Sequence, residues 1–248
     1  MAVKLYGTPP SHPSHAARLM LERKGIDHKL IWLLPGLWPI MVRTRGFRGS
    51  TVPALKLDGQ RIQHSREISR ALEQYKADPP LFPRDPKRRI EVEEAERWGE
   101  EVLQPVPRRI IRWLALHRPA VRTAIAREAG MPAPGVAARL NAPMVHYLAR
   151  KSDSSDERVK STIRLLPALI DHVDRLIADG VIGGKEPNAA DYQIATTVRS
   201  LLTLEDLAPA IEGTRAEWLA RAILPEIGSP PIPPSLPAEW LAPLAGQR

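Results

Sequence analysis

Apolar and polar positions change their rhythm about a third of the way along the chain. Over residues 1–76, short apolar runs alternate with turn residues. Val3-Lys4-Leu5-Tyr6 predicts a strand, closed by Gly7 and the Pro9-Pro10 pair. From Ser14 to Lys24 the apolar positions Ala17, Met20, Leu21 and the stem of Lys24 recur at helical spacing, and Gly25 predicts the stop. His28–Leu33 reads as a second strand with Ile31 and Leu33 on one face. Val52–Leu57, then Asp58-Gly59, then Gln60–Ile62, predicts a hairpin, because Asp-Gly suits the tight turn whose twist matches paired strands. His64–Tyr75 predicts a helix that buries Ile68, Ala71, Leu72 and Tyr75. The order is β-α-β, an irregular stretch, then β-β-α.

Residues 77–86, ADPPLFPRDP, form a stiff proline-rich linker and a domain boundary. Beyond it, over 87–225, apolar residues recur every three to four positions. Between Asp156 and Ala178 the series Val159, Ile163, Leu166, Ile170, Val173, Ile177 keeps a helical rhythm. Ser154 with Glu157 predicts a capping box at its start, Gly180 its stop, and Pro167 a kink. Pro105 and Pro107 should bend or break the first helix of this half, which carries Trp98, Leu103 and Trp113. The tail, 226–248, contains SPPIPPSLP and reads as extended and polyproline-like. It either covers a site or trails in solvent. The fold class is therefore α/β in the first part and all-α in the second.

Length and composition narrow the chemistry. A chain of 248 residues fits one to two domains with a sizeable core. The absence of cysteine excludes disulfides, thiolate metal sites and a cysteine nucleophile, so thiol chemistry needs a thiol carried by a ligand. The formal charge of +8 favours anionic partners, or is simply a basic surface. The charges are intermixed, and aromatic residues make up only 5%, which gives no single-strand stacking platform, so no nucleic-acid partner is expected. The start MAVKLYGTPPS lacks a signal-peptide core, and the most apolar stretch, Leu30–Val42, is interrupted by Pro35, Gly36 and Pro39. The expectation is a cytoplasmic protein with no membrane partner. His12 and His15 lack a third ligand nearby, so no metal is expected.

Three local motifs carry a family resemblance. The first is Leu5-Tyr6-Gly7-Thr8-Pro9-Pro10-Ser11-His12-Pro13-Ser14-His15-Ala16-Ala17-Arg18. The second is Ser50-Thr51-Val52-Pro53-Ala54-Leu55, followed by His64-Ser65-Arg66-Glu67-Ile68. The third is Asn188-Ala189-Ala190-Asp191. In this order and at these separations the chain resembles a cytosolic glutathione transferase of the serine type, theta- or zeta-like. The resemblance implies a thioredoxin-like glutathione-binding domain over 1–76, a linker over 77–86 and an all-helical substrate domain over 87–225. It implies a homodimer, and glutathione as co-substrate.

Site residues follow from the resemblance and from their chemistry. Ser11 precedes a helix whose unpaired N–H groups favour an anion, and its hydroxyl can donate to a thiolate. Ser11 is either that donor, with Ser14 as the helix cap, or a cap itself. Val52-Pro53 is expected to be a cis turn that offers Val52's backbone to glutathione. Ser65 is expected on the γ-glutamyl carboxylate at a helix N-terminus. His64 stands where the family usually has Glu or Gln and is expected among the glutathione-binding residues: a neutral imidazole can accept one hydrogen bond, and a protonated one would repel the γ-glutamyl ammonium. Arg43, Arg45 and Arg48 either pair the glycyl carboxylate or form a solvated loop. Leu103 and Trp113 are candidates for an apolar substrate pocket, or for the core. Asn188 and Asp191 are structural.

The function expected on this resemblance is a transferase that activates the glutathione thiol for attack on a small apolar electrophile, as in detoxification. The alternative is a non-catalytic binding or assembly module on the same fold, motivated by His64.

Overall fold

The computed structural model describes residues 3–34, 36–227 and 231–245. Pro35 and the first two residues of the SPPIPPSLP run lie outside that range. The first part runs β1 (Val3–Gly7), α1 (His12–Arg23), β2 (His28–Trp32), α2 (Trp38–Arg43), β3 (Ala54–Leu57), β4 (Gln60–Gln63) and α3 (Ser65–Tyr75). The strands lie in the order β2-β1-β3-β4, with β1 parallel to β2 and antiparallel to β3, and β3 antiparallel to β4. Leu5 pairs with Leu30 on one side and Leu55 on the other, so the central strand is apolar at its middle. Asp58 and Gly59 both take positive φ, 45° and 92°, as the expected hairpin turn requires.

α2 falls in the stretch whose pattern predicts irregular structure. Pro39 looks like a breaker, but it sits in the helix's first turn, where no N–H is needed. The short helix buries Val42 and leaves Ile40 exposed.

The linker is not a free spacer. Leu81 and Phe82 are buried, and the Phe82 ring lies 4.2 Å from the Arg70 guanidinium and 5.2 Å from that of Arg89. The Ala189 N–H donates to the Leu81 carbonyl at 2.9 Å, and the Leu81 N–H donates to Glu73 at 2.9 Å. Lys24, fully buried, pairs with Glu73 and donates to the Lys76 carbonyl at 2.7 Å.

The helical part comprises α4 (Pro86–Trp98), α5 (Pro105–His117), α6 (Pro119–Glu128), α7 (Pro134–Leu140), α8 (Ala142–Lys151), α9 (Asp156–Ala178), α10 (Ala189–Leu201), α11 (Arg215–Ile223) and α12 (Ala238–Ala245). Between α4 and α5 the chain stays helical through a π turn, Gly99–Leu103, where the Gln104 N–H reaches back to the Gly99 carbonyl at 2.8 Å. Pro105 cannot donate to residue 101, and the widened turn absorbs that loss. Gly99 is needed there for close approach: a Cβ would lie 3.0 Å from Ile194 Cγ1.

α10 is the axis of the molecule. Every residue but Arg199 is buried, as befits a helix walled on all sides, and it packs on α1, α4 and α11. Its start carries the expected box. Asn188 Oδ1 accepts from the Ala190 and Asp191 N–H groups, and Asp191 accepts from the Asn188 N–H at 2.9 Å. At α9 the expected box does not form. Ser155 takes the cap position without a side-chain bond, while Ser154 is buried with its Oγ 2.7 Å from Ser152 Oγ.

The tail also departs from the extended expectation. Ile232 bridges Leu204, the Ser235 and Leu236 N–H groups donate to Asp206, and α12 seats Trp240 against Trp113 at 4.8 Å. It covers the core side of α5.

Candidate functional site

A cleft of about 720 Å³ opens between the C-terminal end of β1, the Val52–Pro53 turn and the start of α3 on one side, and α5 and α8 on the other. Its floor is the start of α1. Gly7, the last residue of β1, has no room for a side chain: a Cβ there would lie 2.8 Å from Ser14 Cβ and 2.9 Å from the Trp32 ring. α1 thus packs close on the end of β1, and Ser11 lines the cleft.

Ser11 is the N-cap of α1, which begins at His12 rather than Ser14. Ser11 Oγ accepts from Ser14 Oγ at 2.9 Å and from the Ser14 N–H at 3.4 Å. The expected division of labour, with Ser14 as cap, is therefore corrected: Ser11 caps, and Ser14 is the buried partner that holds it. Both bonds use Ser11 as acceptor, so its own proton stays available to a cleft-side acceptor.

Val52–Pro53 is cis, and Val52 lies outside the β3 ladder and lines the cleft. Gln63 holds this loop: its Oε1 accepts from the Gly49 N–H at 2.7 Å, and its Nε2 donates to the Thr51 carbonyl at 2.9 Å. Sequence reasoning missed Gln63, whose place at the inward-facing end of β4 was the available signal. His64 takes φ 68° and ψ 138°, a strained conformation for a non-glycine residue, immediately before α3. Ser65, buried at the first position of α3, has its Oγ 3.5 Å from Glu100 Oε1. Glu100 stands on the π turn and pairs with Arg66 at 3.5 Å. Ser65, His64 and Glu100 thus meet at one end of the cleft.

Two groups of expected residues lie elsewhere. Arg43 ends α2 and Arg48 follows it, both exposed, while Arg45 donates to the Met41 carbonyl at 2.6 Å; none lines the cleft. Leu103 and Trp113 are core. Trp113 donates to Asp156 at 2.8 Å and stacks 4.4 Å from His117. The other face of α5 forms the wall, with Arg108, Ile111, Arg112 and Ala115 at spacings of three and four. A lone tryptophan drew attention from that stripe.

His12 is buried beside the cleft, with Nδ1 3.1 Å from Thr197 Oγ1 on α10. Burial first, and then the positive charges of Arg108, His15 and Arg112, hold its pKa well below 6.5, so the ring is neutral near pH 7. Burial, with help from Arg108, pulls Arg112 down to about 10. No group of three or more metal-ligating side chains occurs among the described residues, and no described helix is long and apolar enough to cross a membrane.

Comparison with known proteins agrees with this architecture. Residues 5–80 match the family model described as glutathione S-transferase, N-terminal domain. Among solved structures, a beta-etherase, LigF, from Sphingobium sp. strain SYK-6 is similar over 82% of this chain and 84% of its own, at 19% identity and a TM-score of 0.61. Glutathione transferase F7 from Populus trichocarpa is similar over 92% of this chain and 95% of its own, at 14% identity and a TM-score of 0.61. FzlA from C. crescentus is similar over 94% and 97%, at 18% identity and a TM-score of 0.57. No curated protein matches the chain. The fold is that of the glutathione transferases: a thioredoxin-like sheet unit followed by a helical part.

Proposed function

We propose that the protein is a serine-type glutathione transferase. One observation carries the reading: Ser11, at the N-terminus of α1, lines the same cleft as Val52 and Ser65 at the start of α3. Glutathione would lie along that face. Val52 would pair with its cysteinyl backbone, as an added strand does. The first turn of α3, with Ser65, would take its γ-glutamyl carboxylate. Glu100, rather than His64, would accept from the γ-glutamyl ammonium, which answers the departure at position 64. The sulfur would then sit at the start of α1. A free thiol ionises near ~8.5, and N–H groups, the helix dipole and the Ser11 proton all favour the thiolate. A stabilised thiolate attacks an electrophilic carbon held between α5 and α8, where Ile111, Ala115, Val145 and Leu148 offer an apolar surface. On the same reading the protein is a cytoplasmic homodimer.

The test is the ultraviolet absorbance of the thiolate, followed against pH for protein plus glutathione. A bound thiol that ionises well below free glutathione supports the reading, and loss of that signal in Ser11→Ala assigns the donor. His64 motivates the second reading, a non-catalytic module on this fold. Absence of a saturable signal at millimolar glutathione would favour it.

A further inference from the structure

The wall opposite Ser11 is more cationic than an apolar pocket needs. α5 turns Arg108 and Arg112 into the cleft, one helical turn apart. The carboxylates of the cleft pair directly with other cations, although the Glu100 charge still reaches Arg108 and opposes the burial that lowers its pKa. Glu100 pairs with Arg66, and Asp153 pairs with Arg158 at 2.9 Å. Arg109 is held by Thr162 Oγ1 at 2.9 Å and the Ser152 carbonyl at 3.3 Å. Arg112 has only a long bond, 3.4 Å, to the Leu148 carbonyl. Among the described residues Arg108 has no hydrogen-bond or ion-pair partner. Arg108 and Arg112 line the same cleft as Ser11, and their charges reach its neighbour His12.

Half-buried guanidinium groups with no carboxylate in direct contact are costly, and a planar carboxylate matches their fork of donors. Ile111, Ala115, Val145 and Leu148 lie on the same walls and suit an apolar body. Resting on the transferase reading above, we infer that the electrophile carries a carboxylate, which Arg108 and Arg112 bind so that its reactive carbon faces the thiolate at Ser11.

Two aryl chlorides test this: 4-chloro-3-nitrobenzoate and the neutral 1-chloro-2,4-dinitrobenzene. In each, the glutathione sulfur bonds to the chlorinated ring carbon, chloride leaves with the bonding pair, and the thiol proton goes to buffer. Each kcat/KM is divided by the uncatalysed rate with glutathione. The wild type should favour the benzoate, and Arg108→Gln should reduce that preference by about 30-fold, the usual scale for truncating one side of a buried charge-assisted contact. Arg108→Lys, which keeps the charge, should restore part of it, and Arg112→Gln should lower it independently. A wild type without preference, or a preference unchanged in Arg108→Gln, overturns the inference. Equal loss with both electrophiles also overturns it, by placing Arg108 on glutathione. Calorimetry without glutathione separates the two readings, using 4-nitrobenzoate and 4-nitrobenzamide. Benzoate-selective binding that is lost in Arg108→Gln sustains the carboxylate site even if no conjugation occurs and the transferase reading fails. Equal binding of the two probes sinks the carboxylate site even if conjugation is observed.

Discussion

At Ser11, capping and catalysis are expected to use different parts of one hydroxyl. The oxygen accepts from Ser14, and the proton is left for a thiolate. Ser11→Ala should therefore cost about 1 kcal/mol of stability through the lost cap. It should also lower kcat/KM about 100-fold, the usual scale for one donor to a developing or stabilised anion. Chemical denaturation and steady-state kinetics read the two effects separately, and a kinetic loss no larger than tenfold would leave Ser11 as a cap only. His12 makes a second residue-scale case. Its folded pKa lies below the ordinary 6.5 because it is buried and faces Arg108, Arg112 and His15. As pH falls below 6.5, the unfolded chain takes up a proton that the folded chain refuses, so this contribution to stability is present above 6.5 and lost in acid. His12→Asn, which can still bond Thr197, should show a shallower fall in unfolding free energy between pH 7 and pH 5. Parallel curves for wild type and variant would show that His12 titrates alike in both states.

Among the elements, α10 and the π turn decide how the helical part meets the sheet unit. Asn188→Ala removes the side-chain half of the box at the start of α10 and leaves the Ala190 and Asp191 N–H groups without their acceptor, while the Asp191 carboxylate keeps the backbone N–H of residue 188. The expected cost is about 1 kcal/mol, read from urea midpoints, with no change in KM for glutathione. Gly99→Ala should destabilise by about 1–3 kcal/mol despite alanine's better helix propensity, because its Cβ would press on Ile194 and Gln193. Equal or higher stability would mean that α4 can draw back from α10. These elements also show which parts of the structure were legible beforehand. The strands, the Asp58-Gly59 hairpin, α3, α9 and the Asn188 box followed from periodicity and local chemistry, although Tyr75, expected on the buried face of α3, is exposed and donates to Asp58. α2 did not, because a proline in a first turn and a proline that ends a helix look alike in sequence. The cleft was half legible. Ser11, Val52 and Ser65 sit in local motifs, whereas the Arg108–Ala115 face is told from the Trp113 face only by knowing which side of α5 meets the core. Glu100 reaches Ser65 across 35 positions, a separation no local pattern reports.

For the whole molecule, the question is whether sheet unit and helices unfold together. The contacts between them are polar as well as apolar. Glu96 of α4 is fully buried, and it accepts from Ser69 Oγ at 2.6 Å and from Arg70 at 2.6 Å, both on α3. Burial pushes the Glu96 pKa up, while Arg70, Ser69 and Arg66 oppose that shift. Arg70 also covers the Phe82 ring, so one guanidinium ties α3, α4 and the linker. Removing the carboxylate takes away the ion-pair partner of Arg70 and one acceptor of Ser69, whereas an amide keeps the shape and one acceptor. Glu96→Ala should therefore cost about 3 kcal/mol and Glu96→Gln distinctly less. If the two parts form one cooperative unit, the loss should shift a single urea transition, seen alike by far-ultraviolet dichroism and tryptophan fluorescence. Were the Glu96→Ala transition to split, with the helical part outlasting the sheet, the α3–α4 contact would be the principal coupling. The buried linker residues Leu81 and Phe82 would then be insufficient to join the two parts.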